Sequence, residues 1–523
     1  MRPPAPHILL LVTDQHRWDA FGGLEPSGQL RTPNFDRLFE GGARFDRHYT
    51  STPSCTPARA ALLTGRSPWR HGELGYGSIA RDYAPYVELP KALAAAGYRP
   101  VAVGKNHFCD GEAACDAPHG FEEVHLYDGL ETELDEYRAW FNATSGGLDP
   151  MATAPAWDAA RPLTMNDWRG AAYAYDESWH PTAWTARVAA EVVRNHSDDA
   201  ARPLFLKLSF HRPHSPYDPP ARLLDAFDAA ALAAPAAAAD GWDRGGRGVC
   251  AAAALNWTAA ANATAVPTDV WCGAVRDADA RASRAAYLAS VAFVDEGLGV
   301  VLDALDARGW LEETFVVYTA DHGDALGDHF LWRKTYPYEA SARVPLLVRP
   351  GAALASRRAL RAGSVVDATH VTEVRDVLPT LLDAAGALAL VPADQPLDGA
   401  SLLPLLAAGA EPPPWRAWID LEHAQCYNAS NHWSALASVS RKYVFHARTG
   451  VEQLFDLAAD PGETVDLGRN GSYADELALW RARLVAQFEA EGRGAQFVDA
   501  NGTLVWPREN VLYSPYYPAG AGR

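Results

Sequence analysis

An α/β fold built on a large, mainly parallel sheet is predicted by three features of this 523-residue sequence. Short apolar runs alternate with amphipathic helical segments through roughly the first 390 residues. Four of those runs end in clusters of polar side chains, as an open α/β site requires at the carboxyl ends of its strands. After "PPPW" (412–415) the alternation gives way to shorter runs separated by turns. Residues 1–395 are therefore read as one α/β domain with helices on both faces of the sheet. Residues 415–523 are read as a smaller subdomain of antiparallel strands closed by a helix.

Taken in order, "HILLLVT" (7–13) is short and unbroken enough for a buried strand, and Asp14 and Gln15 follow it. "SCTPARAALLTGR" (54–66) opens a helix. Pro57 suits a first turn, where its missing N–H would have no intrahelical partner anyway. Cys55 then sits at the helix mouth, where free N–H groups and the dipole favour an anion, with Arg59 one turn on. "VELPKALAAAGY" (87–98) is a helix leading to the strand "RPVAVG" (99–104), followed by Lys105 and His107. The helix "PTAWTARVAAEVVRNH" (181–196) precedes the strand "PLFLKLSF" (203–210), followed by His211 and His214. An Ala/Gly-rich insertion, about 225–280, is expected at the surface. The long helix "RAAYLASVAFVDEGLGVVLDALDARG" (284–309) leads to the strand "TFVVYTA" (314–320), followed by Asp321 and His322. Beyond the linker, "WSALASVS", "RKYVFHA" and "EQLFDLAADPGE" read as antiparallel strands, and "YADELALWRARLVAQFEAEG" (473–492) as the closing helix.

A net charge of −19 excludes nucleic acid or an anionic membrane surface as the main partner. An anionic substrate would need cations gathered locally, and small anions suit such a surface better than highly charged polyanions. No apolar run approaches the roughly 18 residues of a membrane span. Seven of the twelve asparagines, Asn142, Asn195, Asn256, Asn262, Asn428, Asn470 and Asn501, stand in Asn-x-Ser/Thr, which points to a glycoprotein of the secretory route, secreted or lysosome-like. Six cysteines fit that compartment. Cys109 and Cys115 can close a small loop and Cys250 and Cys272 can staple the insertion, which leaves Cys55 and Cys426. "MRPPAPHILLLVTDQ" does not read as a signal peptide, because its apolar run already reads as a core strand.

Only five of the 46 basic residues are lysine, Lys91, Lys105, Lys207, Lys334 and Lys442. In a chain so biased to arginine, a lysine implies a compact ammonium that can lose its proton, and Lys105 and Lys334 fall within the polar clusters. Asp14, Gln15, Asp321 and His322 form a candidate divalent-cation set whose hard oxygens favour Ca²⁺ or Mg²⁺.

"CTPAR" followed by "LLTGR" resembles the signature of the type I sulfatases, in the alkaline-phosphatase-like superfamily. "LVTDQHRWDAFG", "GKNHF", "HRPHSPY", "YTADHGDALGDHFLWRKTYPYEASARVPLLV" and "EQLFDLAADPGETVDL" are similar to further elements of that family, in order along nearly the whole chain. The resemblance implies that Cys55 is oxidised to formylglycine by a formylglycine-generating enzyme, and that the hydrated aldehyde attacks a sulfate ester. It implies Ca²⁺ held by Asp14, Gln15, Cys55, Asp321 and His322. Gln15 stands where many members have Asp, and the imidazole donor leaves Mg²⁺ or Mn²⁺ open. Lys334 and His214 would stabilise charge and protonate the leaving alcohol, His107 would act as base, and Arg59 and Lys105 would hold diol and sulfate oxygens. His211 would shape the substrate pocket, and Thr56 would support the turn.

Three readings compete. The Asp-Gln and Asp-His pairs also resemble the phosphonate monoester hydrolases, which use the same formylglycine on phosphorus esters. A secreted glycoprotein that only binds sulfated glycans, or a hydrolase using the Cys55 thiolate itself, would keep the fold with other chemistry. Trp69, Tyr76 and Trp332 are either pocket walls or core, and Asp324, Asp328 and His329 are either site or scaffold.

Overall fold

The structure, a computed structural model, describes residues 5–518 apart from 78, 81, 108–117, 130–134, 198–201, 244–248, 250–265, 274, 362, 410, 428–430 and 506–510. Its main sheet has eight strands: β1 (Ile8–Asp14), β2 (Ala43–Phe45), β3 (Arg99–Gly104), β4 (Glu123–Leu126), β5 (Leu204–Pro213), β6 (Phe315–Ala320), β7 (Leu346–Arg349) and β8 (Val365–Asp367). Their spatial order is β4-β3-β5-β1-β6-β7-β2-β8. The first five in that order run parallel, and β7 pairs antiparallel with both β6 and β2.

All seven residues of β1 are buried, because helices cover both faces. Ile8, Leu10 and Val12 point into a core with the helices α1 (Cys55–Thr64), α2 (Leu89–Ala95) and α5 (Val377–Ala384). Leu9 and Leu11 point the other way, against α3 (Pro181–Asn195) and α4 (Asp277–Ala307). The expected three-layer α/β architecture is therefore present. The observed α4 begins seven residues before the reading at 284, and Asp277 and Asp279 in its first turn complement the helix dipole there. By length and composition α4 could cross a membrane, but 89% of its most apolar window is buried inside the fold, so it is a core helix.

The C-terminal sheet is antiparallel, in the order β9 (Ile419–His423), β10 (Trp433–Ala437), β11 (Arg441–His446) and β12 (Val451–Asp456). The sequence reading missed β9, whose "IDLEH" carries alternate charges and lacks an apolar run. One face of this sheet packs Trp433, Ala435, Val444 and Phe455 against Tyr49, Leu331, Tyr336 and Tyr338 of the larger part. The other face packs Leu436, Tyr443 and Leu454 against α6 (Ala474–Ala490) and against Trp69 and Leu74.

Most described residues of the 225–280 insertion are exposed or half-buried, as expected, and a few buried side chains anchor it. Trp242, Val266, Val270 and Cys272 are each at most 3% exposed. The Trp242 indole N–H donates to the Glu463 carbonyl at 2.9 Å, so the insertion is bound to the β12 hairpin region. Cys272 is disulfide-bonded, while its expected partner Cys250 and the pair Cys109 and Cys115 lie outside the described residues.

Candidate active site

Strands β3, β5, β1 and β6 are four consecutive neighbours in the sheet, and each of the four expected polar clusters follows one of them. Parallel direction puts all four carboxyl ends on one edge, which is why Asp14, Lys105, His214 and Asp321 meet although they lie up to 307 residues apart. The last step of β3 needs glycine. Gly104 has φ 89°, and a Cβ there would run into the Ser209 carbonyl.

Helix α1 enters this edge from the side. Ser54 is extended and makes no side-chain cap, so the first-turn N–H groups of the helix remain free around Cys55. All ten residues of α1 are buried, and its alanines allow that close packing. The four-residue spacing from Cys55 to Arg59 places both on one helix face.

The Cys55 Sγ lies 3.0 Å from Lys334 Nζ, 3.3 Å from His322 Nε2, 3.8 Å from both Asp14 carboxylate oxygens and 3.9 Å from Lys105 Nζ. Burial and Asp14 push the thiol up, but Lys105, Lys334 and His322 outweigh them and hold it well below its ordinary value. Burial likewise pushes Asp14 up, and Lys105, Lys334 and His322 bring it well below the usual carboxylate range. Lys105 ion-pairs directly with Asp14.

Lys334 Nζ donates to His214 Nε2 at 2.8 Å, while His214 Nδ1–H donates to the Ser215 carbonyl at 2.8 Å. Burial and Lys334 keep His214 neutral, its pKa well below the ordinary value. An ammonium thus rests on a neutral imidazole; burial lowers Lys334, but Cys55 and Asp14 outweigh it and hold Lys334 above its ordinary value. His211 stacks edge-on to His214, with ring centroids 4.9 Å apart, and accepts from Arg212 through Nδ1 at 2.8 Å.

A divalent cation fits the donors present. Asp14, Cys55, Asp321 and His322 are all buried and offer ligand atoms within 4.8 Å of one another. The Asp321 carboxyl is raised by burial and by Asp14 facing it, a repulsion that a cation would relieve. Gln15 donates through Nε2 to Asp324 at 2.6 Å, and its buried Oε1 has no hydrogen-bond partner. Gln15 itself has φ 67°, a strained conformation for a non-glycine residue at such a site.

The Sulfatase family profile matches residues 6–387, well over half of the chain. The chain belongs to the sulfatase family. A second profile, N-sulphoglucosamine sulphohydrolase C-terminal, matches residues 327–489. An arylsulfatase of Clostridium perfringens is 31% identical over 95% of this chain and 97% of its own length. A choline-sulfatase of Rhizobium meliloti is 30% identical over 98% of this chain and 93% of its own. Among solved structures, the phosphonate monoester hydrolase of Agrobacterium radiobacter superposes with a TM-score of 0.74 at 25% identity, covering 93% of this chain and 96% of that one. The chain is accordingly an enzyme of the sulfuric ester hydrolase class.

In this sulfatase a cavity of about 140 Å³ opens over Cys55. Lys105, His107, His211, His214 and Lys334 line it with Tyr76, and Arg59 does not. Arg59 is turned instead to Asp321 (3.0 Å from Nε), the Lys105 carbonyl (2.9 Å) and Ser209 Oγ (3.1 Å), so it orders the carboxylate and the lysine. His107 has φ 57°, its buried Nδ1 has no hydrogen-bond partner among the described residues, and Nε2 is 3.5 Å from Tyr76 OH. Trp69 and Trp332 lie in core clusters away from the cavity. Asp328 pairs with Arg17 and Arg284, and His329 bonds the Gly462 carbonyl, so both are scaffold. Asp324 is an organiser, accepting from Gln15, Tyr217 and the Arg333 amide.

The sequence reading missed several residues here. Lys207 reaches from within β5 to the Lys105 carbonyl at 3.1 Å and Asn106 Oδ1 at 2.8 Å, so three of the five lysines serve this site. A charged residue inside the apolar run "PLFLKLSF" was the available signal. Asp128 accepts the backbone N–H groups of Asn106 (2.6 Å) and His107 (3.0 Å). Gly129, Met165, Asn166, Cys426 and Tyr427 complete the lining.

Lys334 is flanked by two left-handed residues, Arg333 at φ 67° and Thr335 at φ 83°. The C-terminal sheet holds this kink. The Trp433 indole N–H donates to the Thr335 carbonyl at 2.9 Å, and Asn431 Nδ2 donates to Thr335 Oγ1 at 2.5 Å. Trp433→Phe removes the donor and one ring of a fully buried indole, at a cost of about 2–4 kcal/mol in folding from the cavity and the unpaired carbonyl. Displacement of Lys334 should lower kcat by about 10-fold with KM nearly unchanged, since small misplacements of catalytic groups are costly. Steady-state kinetics on the variant checks this, and an unaltered kcat would remove the clamp's catalytic relevance.

Proposed function

We propose that this chain hydrolyses a sulfate monoester, R–O–SO₃⁻, to alcohol and sulfate, using formylglycine made from Cys55 and a divalent cation. One observation carries the reading: Cys55 sits at a free helix mouth, lines the cavity and has two lysines, an imidazole and a carboxylate within 4 Å of its sulfur. Formylglycine, when present, supplies the nucleophile as a hydrate with two hydroxyls. The cation, held by Asp14, Gln15, Asp321 and His322, would supply Lewis-acid polarisation of sulfate and nucleophile. Oxygen-rich donors favour Ca²⁺, with Mg²⁺ or Mn²⁺ as the alternatives.

The remaining work belongs to the side chains. Lys105 draws a sulfate oxygen toward the Asp14 edge of the cavity. Lys334 and His214 neutralise charge on the ester oxygen and deliver its proton as the alcohol leaves. His107, beside the cavity and with no hydrogen-bond partner at Nδ1 among the described residues, takes a proton when sulfate is released. His211 walls the pocket. These cations meet the requirement that a chain of net charge −19 sets for an anionic substrate.

Maturation by a formylglycine-generating enzyme and passage through the secretory route belong to the same reading. Asn142, Asn195, Asn470 and Asn501 are exposed, which supports glycosylation, while Asn256, Asn262 and Asn428 lie outside the described residues. A phosphonate monoester is the second substrate to assay, because a phosphonate monoester hydrolase is a full-length structural neighbour.

Exhaustive chelation should lower aryl sulfate turnover by on the order of 100-fold or more, with recovery on adding Ca²⁺. Turnover that persists in protein shown to be metal-free would overturn the cation's role.

A further inference from the structure

We propose that the chain with unmodified Cys55 is a zinc-class metal site, and that replacing its sulfur by oxygen turns the same site toward hard cations. The four donors are Cys55 Sγ, His322 Nε2 and one carboxylate oxygen each from Asp14 and Asp321. Zinc bonds of about 2.3 Å to sulfur and about 2.0–2.2 Å to nitrogen or oxygen give tetrahedral edges of about 3.3–3.7 Å. The edges here are 3.3 Å from Sγ to Nε2, 3.8 Å from Sγ to Asp14, 3.3 Å from Nε2 to Asp14 Oδ1 and 3.5 Å from Nε2 to Asp321 Oδ1. Four of the six donor–donor edges thus lie near tetrahedral spacing, and all four donors lie within 4.8 Å of one another.

The second coordination layer agrees. His322 Nδ1–H donates to the Gly323 carbonyl at 3.0 Å, which fixes the tautomer and leaves the Nε2 lone pair facing the sulfur and the carboxylates. Lys334 Nζ, 3.0 Å from Sγ, can keep its hydrogen bond to a metal-bound thiolate. Sulfur and imidazole select zinc-like ions over Ca²⁺ or Mg²⁺, and a set of one thiolate and two carboxylates brings three negative charges to the ion. Binding is balanced simply: Zn²⁺ takes the sulfur lone pair, and any thiol proton leaves to solvent.

The first half of the proposal concerns the thiol form alone. The second half, the switch to hard cations, rests on the formylglycine reading, in which sulfur gives way to oxygen.

The test uses full-length chain made in a host without the maturation enzyme, with the thiol verified by mass. Co²⁺ serves as the spectroscopic probe. One Co²⁺ per chain with a sulfur-to-cobalt charge-transfer band is expected, displaced by Zn²⁺ at concentrations at least about 100-fold below those of Ca²⁺, a larger gap than outer-layer effects produce. Cys55→Ser should lose the band and most of the zinc preference. Cobalt bound without a sulfur band, Ca²⁺ competing as well as Zn²⁺, or no cobalt bound would each overturn the proposal. The wild-type spectrum decides even if the variant does not fold. Because it is read on the thiol form, its failure is separate from a failure of sulfatase activity in the converted form.

Discussion

Cys55→Ala should abolish aryl sulfate hydrolysis, lowering kcat/KM by on the order of 10⁴–10⁶, the range seen when a covalent nucleophile is removed. That is about 5–8 kcal/mol of transition-state stabilisation. The fold should survive. The substitution removes one sulfur atom at a site that is 1% exposed, and such small deletions cost about 1–2 kcal/mol. Lys334 keeps its bond to His214, and Lys105 keeps Asp14, so no buried charge loses its last partner. Circular dichroism and a thermal melt should therefore match the wild type while activity disappears. Cys55→Ser adds a finer test: it restores one hydroxyl but cannot form a hydrate, so multiple turnover should remain absent. A serine variant with wild-type turnover would contradict any role for an aldehyde.

Lys334→Met should lower kcat by on the order of 10²–10⁴, through lost charge stabilisation and proton delivery. Methionine preserves the unbranched stem and deletes the ammonium that lies 3.0 Å from Cys55 Sγ and 2.8 Å from His214 Nε2. The loss should depend on the leaving group. An acidic phenol departs without protonation, so its sulfate should be affected least, whereas an alkyl sulfate should be affected most. Measuring kcat for a series of esters of graded leaving-group pKa checks this. A uniform loss across the series would assign Lys334 to sulfate binding or nucleophile activation and remove it from proton delivery.

Much of this site was legible in the sequence because its chemistry is local. Asp14, Lys105, His214 and Asp321 each follow a buried apolar run, and Pro57 marks the start of the helix that carries Cys55 and Arg59. Strand order was not legible. That β3, β5, β1 and β6 stand side by side depends on crossovers through α3 and α4, which no short stretch encodes. The reach of Trp433 to Thr335 spans 98 residues, and Lys207 acts through a carbonyl on a neighbouring strand. Such contacts are products of tertiary packing, so only the anomaly of a lysine inside an apolar strand hinted at one of them. Arg59 shows the opposite limit. Its presence was expected from the motif, but its orientation, toward Asp321 and away from the cavity, depends on where β6 ends. The alanine- and glycine-dominated composition of the insertion at 225–280 hid the fact that Trp242 and Cys272 anchor it.

The central claim is that residue 55 works as an aldehyde made from cysteine. Peptide mass spectrometry across Cys55, on protein made with the formylglycine-generating enzyme and assayed in parallel for sulfate release from an aryl sulfate, tests it most directly. The account predicts loss of the thiol mass in favour of the aldehyde, with activity proportional to the converted fraction. An intact Cys55 thiol in fully active protein, or complete conversion without sulfate release, would contradict it.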